Sequence, residues 1–284
     1  METPQIDRVR RYYNSTVIDY TTVWTGSKDL AIHFGYFADG TENHETSLLK
    51  INEVLSRLVA ISRSDRVLDA GCGYGGSAIW LAQHIGCSVV GINVVPFQVR
   101  DANRASEKYH LTDTVRFHIQ DYAHTSFPNG SFTVIWGLES IVHAEKKEDF
   151  ISEAFRLLQS GGRILIAEYM LRAEPPLSES EKNIVTPWLR GWAMPSLLTP
   201  MEYNNLLAKT GFKNIKTVDL TEKVRPSLRR LGTIVVWGLP LAKILRKIAA
   251  INAEHYGNVE AAYYQRMALR AGLWKYMVMT AEKQ

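Results

Sequence analysis

The sequence predicts a doubly wound α/β domain: a mostly parallel sheet with helices packed on both faces. Three observations carry this. From residue 45 to residue 170, short apolar runs with strand character alternate with longer helical runs, and strands joined by crossover helices pair in parallel. The first strand, Arg66-Val67-Leu68-Asp69, runs straight into a glycine-rich turn, Gly71-Cys72-Gly73-Tyr74-Gly75-Gly76, and a helical pattern resumes at Ser77. A glycine pair, Gly161-Gly162, separates a later helical run from another strand.

In chain order, Leu48, Leu49, Ile51, Val54, Leu55, Leu58 and Val59 recur at helical spacing between Glu45 and Ile61. After the first strand and its turn come a helix from Ser77 to Ile85, a strand over Ser88 to Asn93 and a helix from Phe97 to Tyr109. Two strands follow, Val115 to Ile119 and Phe132 to Trp136, with the turn residues Pro128-Asn129-Gly130 between them. The helix Glu148 to Leu158 is expected to stop at Gly161-Gly162 and to feed a fifth strand, Arg163 to Glu168. Beyond residue 170 the chain is rich in Pro, Trp and Leu, with two further strands at Phe212 to Leu220 and Trp274 to Thr280. No internal repeat or low-complexity linker interrupts it. The expected organisation is one domain over 1–284, with an N-terminal helical cap (1–44), a cofactor-binding core (45–170) and, over 171–284, substrate-lid segments and the last two strands.

Composition narrows the function classes. Of 284 residues, 46% are hydrophobic, enough for a substantial core. The net charge of +4 comes from 33 basic and 29 acidic residues scattered along the chain, with no concentrated basic face, so nucleic acid is not the expected partner. Cys72 and Cys87 form neither a CxxC pair nor a metal-ligand spacing. A reducing, cytoplasmic location without a structural metal is therefore expected. The N-terminal METPQIDRVRRYYNST has no apolar signal region. The apolar stretch Leu231 to Ile251 is broken by Gly238 and Pro240 and carries Lys243, Arg246 and Lys247, so it reads as a buried or interfacial helix, not a membrane span. Peripheral contact with a lipid surface, and assembly into a homo-oligomer, stay open.

The glycine-rich turn satisfies G-x-G-x-x-G, which alone fits a structural turn or a nicotinamide-dinucleotide site as well as anything else. Two neighbours discriminate. Asp69 stands two residues before the first glycine, where a carboxylate would repel a pyrophosphate but suits an ammonium group. Asn93, at the second strand's tip, replaces the acid that a nicotinamide enzyme usually offers to the ribose diol.

The segment Val67-Leu68-Asp69-Ala70-Gly71-Cys72-Gly73-Tyr74-Gly75 resembles the first motif of class I methyltransferases, and further matches follow in order. Gly91-Ile92-Asn93-Val94-Val95-Pro96-Phe97-Gln98 is similar to the second-strand segment of the sterol, tocopherol and cyclopropane-type enzymes. Gln120-Asp121-Tyr122 resembles the adenine-binding acidic motif. Leu157-Leu158-Gln159-Ser160-Gly161-Gly162-Arg163 resembles the L-x-P-G-G turn, with Ser160 in place of the usual Pro. Pro200 to Phe212 resembles the helix and turn before the sixth strand. The resemblance implies a Rossmann-like sheet of seven strands, mostly parallel with an antiparallel last strand, plus helical lid insertions. It also implies S-adenosyl-L-methionine as cofactor.

By that resemblance Asp69, Gly71 and Gly73 hold the methionine end; Asn93 and Gln98 face the ribose. Gln120 and Asp121 belong to the adenine motif, with Asp121 accepting from the exocyclic amine. Tyr122 and Trp136 offer flat apolar surface, although Trp136 reads equally well as core. Arg11-Tyr12-Tyr13-Asn14 looks like the paired-tyrosine helix that closes over the cofactor in related enzymes, and His33-Phe34-Gly35-Tyr36 resembles their H-x-G-[YFW] segment. Tyr13 and His33 are thus placed near the cofactor, with plain packing as the alternative for each.

Glu139 and His143, just past the fourth strand, match an E-x-x-x-H that family members carry near the substrate. If the segment is helical, their i, i+4 spacing puts both on one face. His143 would then take a proton from a hydroxyl or an amine, or, with Glu139, stabilise and deprotonate a carbocation. Methyl transfer itself is an in-line displacement that requires alignment and no metal. Lid segments 171–206 and 222–266 bring Trp188, Trp192, Trp237, Tyr263 and Tyr264, an aromatic set that disfavours a heavily charged substrate. The expected acceptor is a small hydrophobic metabolite, isoprenoid or aromatic, with C-methylation ahead of N- or O-methylation. The rival readings are a nicotinamide oxidoreductase and a catalytically idle member that binds lipid through Leu231 to Ile251.

Overall fold

The computed structural model describes residues 4–24, 30–38, 43–172 and 175–284. Its centre is a seven-stranded sheet: β1 (Arg66–Ala70), β2 (Ser88–Asn93), β3 (Val115–Ile119), β4 (Phe132–Leu138), β5 (Leu158–Leu171), β6 (Lys213–Asp219) and β7 (Trp274–Glu282). The strands lie in the order β3-β2-β1-β4-β5-β7-β6. Pairing is parallel from β3 through β5, while β7 runs antiparallel to both its neighbours, between β5 and β6. The order turns back at β1, so the crevice beyond the carboxyl ends of β1, β2 and β4 is where such a sheet binds ligands.

Nine α-helices among the described residues complete the architecture: α1 (Pro4–Ile18), α2 (His44–Leu58), α3 (Gly76–His84), α4 (Pro96–Lys108), α5 (Lys147–Leu157), α6 (Glu179–Gly191), α7 (Pro200–Thr210), α8 (Thr221–Lys247) and α9 (Ala253–Arg270). Two apolar clusters fill the two faces of the sheet. Val67, Val89, Val134, Trp136 and Leu165 point to one, and Leu68, Ile92, Ile135, Ile164 and Ile166 to the other, as strand alternation requires. Helices α6 and α9 touch where a Cβ on Gly191 would stand 2.2 Å from the Gly257 carbonyl oxygen.

Three expected boundaries move for physical reasons. Helix α5 ends at Leu157, and β5 begins at once because Leu158 is fully buried and pairs with Phe132. The Gly161-Gly162 turn therefore lies within the strand and exchanges backbone hydrogen bonds with Lys283. The stretch around Gly238 and Pro240 is not broken: α8 runs 27 residues through Pro226 and Pro240. Pro240 is solvent-exposed, so the ladder bond that its missing N–H leaves open is lost at the surface. Lastly, Glu139 to His143 is not α-helical. Glu139 has φ of 50° and Ile141–His143 form a single 3-10 turn, so the two side chains do not share a helix face.

Candidate active site

A cavity of about 440 Å³ opens beyond the tips of β1, β2 and β4. Asp69 lies at the β1 tip, 3% exposed, and its Oδ2 has no hydrogen-bond partner. Burial pushes its pKa up to about 7. A buried, unpartnered carboxylate is costly, and one aimed into a cavity is suited to a cationic ligand. The adjoining turn is shaped for close approach. Gly71 has φ of +87°, and a Cβ there would sit 2.4 Å from the Ser140 Cβ, so only glycine fits. Gly71 and Gly73 line the cavity beside Asp69.

At the β2 tip, Asn93 Nδ2 donates to Gln98 Oε1 at 2.7 Å, and Asn93 Oδ1 accepts from the Val95 N–H at 3.3 Å. Both side chains are buried and line the cavity, a pre-positioned amide pair that can meet hydroxyls. Arg10 of α1 donates through Nε to the Val94 carbonyl at 2.7 Å, which docks the N-terminal helix on this strand end. Asp121 lines the same cavity; its Oδ1 accepts from Ala123 N–H at 2.9 Å, and its Oδ2 lies 3.2 Å from His124 Nδ1. Tyr122 lines it too and donates to the Ser140 carbonyl at 3.1 Å.

Two residues of the expected set are elsewhere. Trp136 is fully buried in the core cluster with Val67, Val134 and Leu165; it shares the sheet face of its in-register partner Asp69 but is packed over by other side chains. It is not part of the cavity wall. Gln120 is turned into the 120–126 loop, where its Oε1 accepts from Ser126 N–H at 2.9 Å, so it too leaves the wall. Of the aromatics expected to line a lid, Trp192 faces the cavity. Trp188 packs in the core, Trp237 is on the outer surface, and Tyr263 and Tyr264 pack between helices.

The second half of the cavity is built around Tyr13, Glu139 and His143. Burial pushes Glu139 up to about 7, against hydrogen bonds that lower it from Tyr169 Oη (2.6 Å), Phe34 N–H (2.8 Å) and Tyr276 Oη (2.8 Å). His143 Nδ1 lies 3.3 Å from the Ala193 carbonyl and can only donate to it, which leaves Nε2 as the acceptor facing Tyr13 Oη at 3.1 Å. Burial lowers its pKa to about 4, so the imidazole is neutral. His33 lines the wall with Nδ1 3.0 Å from the Phe34 carbonyl and Nε2 unpartnered; burial lowers it to about 4 as well.

Tyr12 of the paired-tyrosine segment and several residues that carry no motif complete the roof. Gln5 donates to the His143 and Ala193 carbonyls at 3.1 and 2.7 Å, bridging α1 to the loop. Tyr12 Oη is 2.5 Å from Tyr20 Oη and 2.9 Å from Asn258 Oδ1, and Asn258 Nδ2 reaches Asp19 at 2.7 Å, tying α1 to α9. The i, i+7 spacing of Tyr13 and Tyr20 was the one signal that could have shown Tyr20 on the same face. Asn258, 246 residues from Tyr12, left none.

The comparisons with known proteins bear on the family and the fold. Residues 67–162 match the family model described as a methyltransferase domain. The chain is 30% identical to the 27-O-demethylrifamycin SV methyltransferase of Amycolatopsis mediterranei (strain S699) over 196 residues, 69% of this chain and 71% of that one. It is 28% identical to a probable chloroplastic tocopherol O-methyltransferase of Oryza sativa subsp. japonica over 217 residues, 72% of this chain but 60% of that relative's length. Among solved structures, the [4+2]-cyclase SpnF shares the fold at a TM-score of 0.80 and 20% identity, with 97% of this chain and 94% of that one covered. The motif order, the orphaned Asp69 carboxylate beside open backbone and these matches lead to one assignment: the chain belongs to the class I S-adenosylmethionine-dependent methyltransferases.

Proposed function

We propose that the protein transfers a methyl group from S-adenosyl-L-methionine to a small, neutral, mainly hydrophobic acceptor, isoprenoid or aromatic, at carbon. The observation that carries methyl donor binding is Asp69: a buried, unpartnered carboxylate in a cavity, two residues before a turn that no Cβ could share. Asp69 would hold the donor's ammonium group, with the Gly71 and Gly73 backbone admitting its carboxylate end. The Asn93–Gln98 pair would bond the ribose, and Asp121 with Tyr122 would receive the adenine. The donor supplies an electrophilic methyl on a sulfonium. The chain's own contribution is alignment and the exclusion of water, and alignment can account for roughly 7–11 kcal/mol of a barrier in well-oriented cases.

The acceptor side is apolar. Ile6 and Val9 of α1, Leu231, Ile234 and Val235 of α8 and Val259 of α9 line it. Among the described lining residues there is no arginine, and the one lysine, Lys146, is exposed at the rim. His33 and His143 are held neutral by burial, and His255 is already 3.3 Å from Asp19. A phosphorylated acceptor would find no buried cation here, which supports a neutral one. Glu139, ringed by Phe34, Tyr169 and Tyr276, suits positive charge that develops on carbon, and neutral His143 Nε2 is an acceptor for the proton that carbon then sheds. The same Nε2 supports a second reading, O-methylation, in which it takes a hydroxyl proton.

A thermal-shift comparison tests the donor assignment. S-adenosylhomocysteine at about 100 times its dissociation constant stabilises by about 2.7 kcal/mol, and NADH is expected to leave the melting temperature unchanged; the reverse pattern defeats the assignment. Turnover of a prenylated olefin or phenol, and not of a prenyl diphosphate, is the expected outcome for the acceptor. Turnover confined to the diphosphate contradicts the neutral-acceptor reading.

A further inference from the structure

We infer that the outer face of α8 is a docking surface for an anionic lipid bilayer, placed so that an apolar acceptor passes from the membrane into the cavity. The inference rests on the acceptor reading for what is delivered; the docking itself does not. On α8 and the residue that caps it, Trp237, Leu241, Ile244 and Ile248 recur at i, i+4, i+7 and i+11, one continuous stripe. They are 80%, 57%, 58% and 68% exposed, far beyond a scattered surface leucine. The adjoining face of the same helix, with Leu231, Ile234, Val235, Ala242 and Leu245, lines the cavity. Leu241 belongs to both faces: it is exposed and it lines the cavity. The stripe is thus continuous with the interior, and one helix separates the acceptor site from the surface.

Charge selects the occupant. From Arg229 to Ile251 the sequence holds five cations (Arg229, Arg230, Lys243, Arg246 and Lys247) and no carboxylate, while Arg225, a turn earlier, is paired with Glu222. On the helical wheel Arg229, Lys243 and Lys247 flank the apolar stripe on the side away from the cavity. An apolar stripe bordered by cations is the pattern of a helix lying in a bilayer interface. A second copy of this chain placed face to face about this helix would set those cations against one another, which disfavours an isologous dimer here. No helix among the described residues is long and apolar enough to cross a membrane, so the contact is with the surface.

Flotation of the whole chain with lipid vesicles, without substrate, tests this. The protein is expected to float with phosphatidylcholine vesicles that contain phosphatidylglycerol and to stay behind with phosphatidylcholine alone or at high salt. Arg229→Gln/Lys243→Gln/Lys247→Gln should lower partitioning by roughly a hundredfold, at about fivefold per cation. Trp237→Ser/Ile244→Ser should lower it by at least about tenfold through lost apolar insertion, while its melting temperature stays at the wild-type value because both side chains face solvent. Absence of flotation at every composition overturns the inference, as does flotation of both variants like the wild type. So does a wild-type dimer in sedimentation that Trp237→Ser/Ile244→Ser dissociates. None of these results touches the thermal shift with S-adenosylhomocysteine, so the two readings fail separately.

Discussion

Tyr13 Oη and His143 Nε2 meet at 3.1 Å across the cavity, one from the N-terminal helix and the other from the loop after β4, 130 residues apart. With Nδ1 committed to the Ala193 carbonyl, the hydrogen bond fixes the ring with its acceptor nitrogen toward the acceptor site. The contact joins α1 to the loop after β4 and, together with the Ala193 carbonyl, holds the imidazole in place.

His143→Ala is therefore expected to lower kcat by about a hundredfold, at the low end of what a positioned base contributes, with affinity for S-adenosylhomocysteine unchanged. Tyr13→Phe should lower kcat by about tenfold, since it loses one neutral hydrogen bond. Because burial holds His143 near a pKa of about 4, the imidazole itself should add no step at the ordinary histidine value of 6.5, and a step near 7 from Glu139 should persist in His143→Ala. Turnover kinetics across pH decide this; equal kcat in His143→Ala would remove the residue from the chemistry.

Asp121→Ala should weaken S-adenosylhomocysteine binding by about tenfold, near the value of one hydrogen bond to a charged group. Calorimetric titration measures it. Unchanged affinity would mean that the adenine lies elsewhere.

Trp136→Phe separates core from wall. Placed wholly in the core, the substitution should cost about 1–3 kcal/mol of stability through the space it leaves and leave cofactor affinity within about twofold of wild type. A large loss of affinity at wild-type stability would return Trp136 to the binding wall.

Gly71→Ala sets a methyl 2.4 Å from the Ser140 Cβ at a φ of +87°. Strain of this kind costs about 1–3 kcal/mol, read as a lower melting temperature, and the turn should bind cofactor more weakly even where the protein still folds.

How much of this was legible beforehand depends on the range of the interaction. Val115–Ile119 and the strand entering Asp69 were readable because alternation and turn residues are local signals. Asp69, Gly71, Asn93, Gln98 and Asp121 could be named from motif order, and the structure brings all of them to one cavity. Trp136 was ambiguous, since alternation on a central strand points a side chain to one face or the other and the face depends on pairing. Glu139 and His143 share spacing but not a helix: a positive φ at Glu139 lets its carboxylate reach Phe34, Tyr169 and Tyr276, partners 30 to 137 residues away. The unbroken course of α8 through Pro240 was illegible for a related reason, because packing against α9 and the cavity outweighs the local cost of a proline.

Asp69 sets the sign of the pH dependence. Its folded pKa of about 7 is above the ordinary 3.8, so the penalty for the buried charge is absent below about pH 4, grows as pH rises and is complete above about 7. Asp69→Asn should accordingly stabilise the ligand-free protein above pH 7, by at most about 4 kcal/mol at 1.36 kcal/mol per unit.

The most direct measurement is a calorimetric titration with S-adenosylhomocysteine, for wild type and Asp69→Asn, on either side of the Asp69 pKa of about 7. Wild-type affinity should fall as the carboxylate is protonated, and Asp69→Asn should bind about a hundredfold more weakly at the higher pH, the loss of a buried charge pair of roughly 3 kcal/mol, with no pH dependence of this origin. Equal affinity of the two proteins at the higher pH would contradict the account.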